Sequence, residues 1–398
     1  MKVVRNLVMG LLFFCHTLGW SYTITSSIDE PFGDFLKTTM TVQVDSNPLN
    51  TFKIVRIRED RQVHTYHGAI ILVPGLLNHF GFYEFTSTGD VEDSIAGYLA
   101  DRKFDVWGIS PRETLVESGE CATTDCSVMN TWGLQSLVDD ITFIRSQVAS
   151  VHGSNKPVVG GFSLGAIAAL ATINAHPNDY KGLLLWEGSL YTTDPAVIQR
   201  NAQFCAQMEG ALSAGVYYDD QNGPFVKLLA QLAASDPNGM SPLPPFAGLT
   251  NRQAFAILFT QNQNAPNFPT DQYVQLNGTA LPEVSYKYAD ETGRIYPSIA
   301  QGFADTFPIR TVRDVNCGIA GETTFINNLS AFTGDVLMLK SGRGFGPLMT
   351  DLSTLLTSAQ IRDDLPANDY GHVERYMHEN YVKQLLKPMV KWLKQDVF

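Results

Sequence analysis

Lys156-Pro157-Val158-Val159-Gly160-Gly161-Phe162-Ser163-Leu164-Gly165-Ala166-Ile167-Ala168-Ala169 is the stretch on which the reading of this chain turns. Val158 and Val159 suit a strand, and the small residues from Ala166 to Ala175 suit a helix. Between them Gly161 to Gly165 spells Gly-x-Ser-x-Gly. Bare, that pattern is weak: with 32 Gly in 398 residues and Ser at about 7%, about 0.2 matches arise by chance. Its setting is the stronger signal, because a sharp strand-to-helix turn is how a nucleophilic serine is held up to its substrate. Such a turn leaves no room for side chains at Gly161 and Gly165, thrusts the Ser163 hydroxyl outward and places the positive end of a helix beside it. Ser163 is therefore the candidate nucleophile, the bland alternative being a Gly-rich strand–helix junction.

Outward from this turn the chain alternates short apolar strands with helices. Ala69 to Val73, Phe104 to Ile109, Val158 to Gly160, Gly182 to Trp186 and Val336 to Leu339 are near-continuous apolar runs. Leu137, Ile141, Ile144 and Val148 repeat at helical spacing within Trp132 to Val148. Strands of that kind alternating with helices imply a parallel sheet covered on both faces. Thr38 to Arg58, alternating around Ser46-Asn47-Pro48-Leu49-Asn50, reads as an N-terminal hairpin. From Tyr191 to Ala331 the rhythm stops, leaving helical patches such as Ala196 to Leu212 and Phe225 to Ala234 between Pro-rich stretches. A structureless loop of that length is improbable in a compact domain, so 191–331 is expected to be an inserted cap, with Phe225, Leu228, Leu229 and Leu232 as one of its apolar faces.

An acyl-transfer serine needs amide donors for the oxyanion and a histidine base. The N–H of Leu164, next after the serine, is one expected donor. Leu76, in the Pro74-Gly75-Leu76-Leu77 turn after an early strand, supplies the other. Only His372 and His378 follow the last expected strand; His372 precedes an expected helix over Arg375 to Trp392, and His378 falls inside it, so His372 is the candidate base. The acid is less regular. Asp335 to Lys340 is followed by Ser341-Gly342-Arg343-Gly344-Phe345-Gly346, which holds no carboxylate. Glu187, at the carboxyl end of Gly182 to Trp186, ranks first. Asp351 is the alternative, although it fits as the N-cap of a helix over Leu352 to Ser358.

The opening Lys2 and Arg5, then the apolar run from Leu7 to Trp20, read as a secretory leader over residues 1–22. No later stretch reaches about 18 consecutive apolar residues, so no integral membrane segment is expected. In an exported chain Cys121, Cys126, Cys205 and Cys317 invite disulfides, with Cys121–Cys126 and Cys205–Cys317 favoured among three connectivities and buried free thiols as the alternative. Their spacing does not suit zinc, and the pair His64 and His67 lacks a third ligand, so no metal is expected. With 28 Lys+Arg against 40 Asp+Glu the net charge is -12, which argues against nucleic acid as a partner. Asn277-Gly278-Thr279 and Asn328-Leu329-Ser330 are glycosylation sequons in a eukaryotic host.

Together these residues resemble the α/β-hydrolase superfamily over essentially the whole chain after the leader. The nearest likeness is the acid-lipase group, which includes gastric and lysosomal lipases. Phe104-Asp105-Val106-Trp107-Gly108-Ile109-Ser110-Pro111-Arg112-Glu113-Thr114 is similar to that group's Tyr-Asp-Val-Trp strand and the Asn-Ser-Arg-Gly-Asn after it. Gly75-Leu76-Leu77 is similar to its oxyanion loop, and Leu137 to Ile144 to the helix ahead of its nucleophile. That group flanks its serine with His and Gln where this chain has Phe162 and Leu164, so triacylglycerol specificity does not follow. Certain haloalkane dehalogenases carry their acid after the strand that ends at Trp186, and the stretch bearing Glu187 looks like theirs.

The resemblance implies an α/β-hydrolase fold, a mostly parallel sheet with helices on both faces, its core divided into 23–190 and 332–398 by a mainly helical cap. It also implies ester hydrolysis of lipid-like substrates. The expectation is a secreted or periplasmic serine esterase that acts without a cofactor on a small-molecule or lipid ester. An acyltransferase with the same triad, or a non-catalytic binding protein on a hydrolase scaffold, are the rivals. Dehalogenase or epoxide-hydrolase chemistry is disfavoured because those nucleophiles are carboxylates.

Overall fold

Nine strands make one sheet in the computed structural model, which describes residues 21–59, 66–260, 273–278, 281, 283–364 and 369–398. The expected leader lies almost wholly outside the described residues, as do His64 and Thr279. In chain order the strands are β1 (Thr23–Phe32), β2 (Phe35–Gln43), β3 (Thr51–Glu59), β4 (Gly68–Val73), β5 (Phe104–Ser110), β6 (Val158–Phe162), β7 (Gly182–Trp186), β8 (Asp335–Leu339) and β9 (Gln360–Asp364). They lie side by side as β1-β2-β3-β5-β4-β6-β7-β8-β9. Pairings from β1 through β3 to β5 are antiparallel, and every pairing from β5 onward to β9 is parallel. The expected hairpin is β2 with β3. β1 and β9 are edge strands without an apolar run: β1 is exposed along most of its length and β9 reads Gln-Ile-Arg-Asp-Asp.

Central strands bury both faces because alternate side chains enter different cores. Ile70 and Leu72, Leu184 and Trp186, and Leu337 and Leu339 face one core, with α1 (Ile95–Asp101) and residues from Leu385 to Val397. Ile71 and Val73, Leu183 and Leu185, and Val336 and Met338 face the other, under α2 (Leu134–His152) and α3 (Leu164–Ala175). The stripe Leu137, Ile141, Ile144 and Val148 is the buried side of α2, as its spacing predicts. Near the C-terminus the expected helix over Arg375 to Trp392 is broken. Glu374–Met377 is a single turn, His378 is extended and bridges Ala289, and winding resumes at Val382. Backbone bonds from Asp290 N–H to Met377 O and from Glu379 N–H to Tyr288 O pull this stretch out of helical geometry.

Between β7 and β8 come α4 (Pro195–Ser213), α5 (Asn222–Ser235), α6 (Asn251–Thr260), α7 (Tyr296–Gly302) and α8 (Ile309–Ile319). The strand content among the described residues here is a two-residue pairing of Tyr218–Asp219 with Phe307–Pro308. Disulfides join Cys121 to Cys126 and Cys205 on α4 to Cys317 on α8. The expected apolar face of α5 is corrected at Leu228. Its close face is Gly223, Val226, Ala230 and Ala233, with Leu229 also buried and Leu228 43% exposed. A Cβ at Gly223 would sit 2.4 Å from Ala304 O, so small residues let this helix press onto the 304–305 backbone. Helix α8 is bolted to the start of α2: Leu134 N–H donates to Asp314 Oδ2 at 3.0 Å and Thr311 Oγ1 to Trp132 O at 3.0 Å. No helix among the described residues is long and apolar enough to cross a membrane.

After β5 the chain turns inward through a buried polar knot. Arg112 makes a two-point ion pair with Asp140 of α2, at 3.0 and 2.6 Å, and its third nitrogen reaches Asn50 Oδ1. Next to it Glu113 is buried, and desolvation pushes its carboxyl up to about 7 against the opposing pull of Arg112. A raised carboxyl pKa means the folded state holds a proton that the unfolded state has lost, so stability falls as pH rises from about 4.5 to 7 and the penalty persists above that window. Glu113→Gln is expected to melt higher than the parent by the equivalent of up to about 3 kcal/mol at pH 8 and to differ little at pH 4.5. Equal melting temperatures at both pH values would refute this origin of the shift.

Candidate active site

Strand β6 ends and α3 begins within one residue, and that residue is Ser163. Its φ of 56° and ψ of -120° are strained for a residue with a Cβ. The strain is held by Ser163 N–H donating to Trp186 O at 2.9 Å and by Ser163 O accepting from Ile167 N–H at 3.1 Å. A Cβ at Gly161 or Gly165 would lie 2.0 or 1.8 Å from the Val73 carbonyl oxygen, so both positions require glycine. The same crowding lets the serine turn nest against the end of β4.

His372 Nε2 lies 3.0 Å from Ser163 Oγ, and His372 Nδ1 lies 3.2 Å from Glu187 Oε2. The serine is 7% exposed, the histidine 1% and the glutamate 0%. A carboxylate accepts only, so Nδ1 carries the ring proton towards Glu187 and Nε2 offers its lone pair to the serine hydroxyl. Glu187 leaves β7 with φ 56°. Its Oε1 accepts from Ser341 N–H, and its Oε2 from Phe345 N–H at 2.9 Å. The loop after β8 therefore brings two amides in place of a carboxylate. A Cβ at Gly344 would fall 1.9 Å from Glu187 Oε2, which is why that loop is glycine-rich where it meets the glutamate.

The imidazole is boxed by rings: Phe162 stacks on it with centroids 4.8 Å apart, and Phe345 and Tyr273 follow at 5.2 and 5.5 Å. Glu374 fastens its loop, accepting from Gly371 N–H on one oxygen and Gln275 N–H on the other, both at 2.6 Å. Burial pushes the Glu374 carboxyl up to about 7 in spite of those two donors. Val373 N–H donates to Tyr273 O at 3.0 Å, so the histidine loop is stitched to the segment between β7 and β8. Composition and spacing gave no sign of Glu374, since its role depends on a partner 99 residues away.

Leu76 and Leu164, the oxyanion donors expected from the sequence, line the same cavity as Ser163. Gly75 packs so closely that an added Cβ would meet Ser163 Cβ at 3.3 Å, and the turn is closed by Asn78 N–H donating to Gly75 O at 3.0 Å. Among the described residues neither the Leu76 nor the Leu164 N–H donates to a protein acceptor. Asp351, the second candidate acid, is engaged elsewhere. It lies near the C-terminal end of the short helix Gly346–Leu352 and not at a helix start, and its Oδ2 takes the Thr193 N–H at 2.6 Å and the hydroxyls of Thr192 and Thr193 at 2.9 and 3.0 Å. Although burial opposes them, those bonds hold the Asp351 carboxyl below the usual carboxylate range. The expectation that Asp351 caps a helix over Leu352 to Ser358 is thus corrected to a clamp on the strand of chain leaving β7. His378 also has a local task, its Nδ1 accepting from Asn380 N–H at 2.8 Å.

Ser163 and His372 open on a cavity of about 350 Å³ whose wall includes Leu76, Phe82 and Ile167 from the sheet side and Val226, Leu258 and Val312 from the helices between β7 and β8. No known family profile and no curated protein matches the sequence. Solved structures do match. A lipase candidate from Sulfolobus solfataricus is 18% identical, with a TM-score of 0.64 over 95% of this chain and 99% of that one. A highly thermostable carboxyl esterase from Bacillus coagulans is 11% identical, with a TM-score of 0.54 over 91% of this chain and 99% of that one. Likeness at that identity speaks to architecture, and with the sheet order and the serine turn it shows that this chain has the α/β-hydrolase fold.

Proposed function

We propose that the protein is a serine ester hydrolase, with Ser163 as nucleophile, His372 as general base and Glu187 as the acid that orients it. One observation carries the reading: a strained serine, a histidine and a buried carboxylate in unbroken hydrogen-bonding sequence, at 3.0 and 3.2 Å. His372 Nε2 takes the serine proton as Oγ attacks the ester carbonyl, and the imidazolium that forms is stabilised by Glu187. The Leu76 and Leu164 amides receive the oxyanion, and the same histidine then protonates the leaving alcohol. Water, activated by His372, clears the acyl-enzyme.

The apolar cavity supports an ester with a hydrocarbon portion, and the likeness of Gly75-Leu76-Leu77 and Phe104 to Thr114 to acid lipases points the same way. Residues 191–331 act in this reading as a cap over the site, sheltering the ester-binding cavity from bulk solvent. Two disulfides suit an exported protein, in keeping with the leader read from residues 1–22. A fluorophosphonate probe is expected to label the folded protein at Ser163 and to leave Ser163→Ala unlabelled. Absence of labelling in the folded parent would overturn the proposal. Free acid released from p-nitrophenyl esters, with acetate through palmitate as acyl groups and with or without added alcohol, separates hydrolysis from acyl transfer.

A further inference from the structure

The cavity before Ser163 holds one side chain at odds with its surroundings. Asn316 lies on α8 one turn beyond Val312 and beside Val315, and all three line the cavity. It is 1% exposed. Its Nδ2 donates to Val312 O at 2.8 Å, and that carbonyl settles which end of the amide carries the nitrogen. Its Oδ1 is buried and, among the described residues, has no hydrogen-bond partner. The hydroxyls of the wall at Thr311 and Ser298 are engaged: Thr311 Oγ1 donates to Trp132 O and Ser298 Oγ to Ile295 O at 3.2 Å.

A buried, unpaired acceptor destabilises a protein, and where one persists in a native structure it calls for a donor from outside. For a purely hydrocarbon ligand a leucine of similar size would fill this place better. The helix is free to carry one, because neither Asn316 nor its Val312 bond is needed to fasten α8: that is done by Asp314, Thr311 and the Cys205–Cys317 bridge.

We propose that Asn316 Oδ1 selects the substrate by accepting a hydrogen bond from a hydroxyl on the chain that fills the cavity, so that the preferred ester is a hydroxylated one. This rests on the ester-hydrolase reading above for the identity of the ligand, and the physics of the selection is one-sided. A hydroxyl donor pairs the acceptor, whereas an unsubstituted chain desolvates it and leaves it unpaired, the situation in which sites discriminate most strongly.

Binding to the Ser163→Ala protein tests this without needing turnover. Methyl octanoate is compared with methyl hydroxyoctanoates bearing the hydroxyl at each position from C3 to C8, and with octanoate monoesters of diols against the matching simple alkyl octanoates. The best hydroxylated ester is expected to bind about 10- to 100-fold tighter than its deoxy partner, the arm in which it appears telling whether the acyl or the alcohol side reaches Asn316. Adding Asn316→Leu should erase that ratio while the deoxy ester binds as well or better. A melting curve shows whether Asn316→Leu folds, and Asn316→Ala serves as second variant with the same expected loss of preference. The proposal is overturned if no hydroxylated ester in either arm gains, or if the preference survives both substitutions. Failure of the hydrolase reading shows separately, as absence of fluorophosphonate labelling at Ser163 in the otherwise unaltered protein.

Discussion

Ser163→Ala should lower turnover of p-nitrophenyl acetate by about five to six orders of magnitude, and adding His372→Ala to it should cost nothing further. The reason is geometric. Oγ and Nε2 are 3.0 Å apart and in the proposed reaction do one job between them, proton removal from a nucleophile, so the histidine has nothing left to act on once the hydroxyl is gone. What remains in either variant is stabilisation of the oxyanion by the Leu76 and Leu164 amides and the positioning that the cavity provides. Fold is checked by circular dichroism, since Ser163 sits at φ 56° and alanine there keeps the strain of a Cβ. More than about 1% residual activity in Ser163→Ala, or a further drop in the double variant, would remove Ser163 from its assigned place.

How much of this was visible in the sequence differs by element, for physical reasons. The central strands announce themselves because a parallel strand covered on both faces has to be apolar throughout, and Leu183, Leu184 and Leu185 could hardly be anything else. The serine turn is legible because steric exclusion leaves glycine alone at 161 and 165. β1 and β9 escaped because an edge strand with exposed sides imposes no hydrophobic period to be read. The helix over Arg375 to Trp392 was mispredicted at His378 because its backbone pairs with 288–290, a contact with no local signal. The face of α5 was misread at Leu228, which is exposed, because Leu outweighs Gly and Ala in any hydrophobic count, yet close approach to the 304–305 backbone favours the small residues.

The proposed acid was the hardest site residue to read, and the same logic explains why. Sequence showed a loop after β8 without a carboxylate, Ser341 to Gly346, and that absence was the clue. Its glycines let the chain fold around a glutamate contributed by the neighbouring strand, so the Ser341 and Phe345 amides meet Glu187 head on. The missing charge and the surplus glycines are two sides of one arrangement.

Glu187→Gln is accordingly expected to cut kcat by up to about 10⁴-fold with the fold intact, and Asp351→Asn by less than about 10-fold. A glutamine at 187 has one oxygen to place. If the oxygen takes the place of Oε1 it keeps the Ser341 N–H, and the amide NH₂ then faces both the Phe345 N–H and His372 Nδ1, which forces the ring proton onto Nε2, where it points at Ser163 and Nε2 cannot accept the hydroxyl proton. If the oxygen instead takes the place of Oε2 it keeps the Phe345 N–H and His372 Nδ1, and the NH₂ is driven against the Ser341 N–H donor, leaving buried groups unpaired, so stability falls as well. Either way the imidazolium loses its counter-charge at a buried position, Glu187 being 0% and His372 1% exposed. Asp351 touches Thr192 and Thr193, and an asparagine oxygen there still accepts from the Thr193 N–H, so its loss loosens the chain leaving β7 and mainly lowers stability. Because those donors depress the Asp351 pKa, its contribution is present above the usual carboxylate range and fades as pH falls below it. The two variants are compared by kcat on a short ester at pH 8 together with melting temperature at pH 8 and pH 4. A larger loss of kcat in Asp351→Asn than in Glu187→Gln would reverse the assignment of the acid.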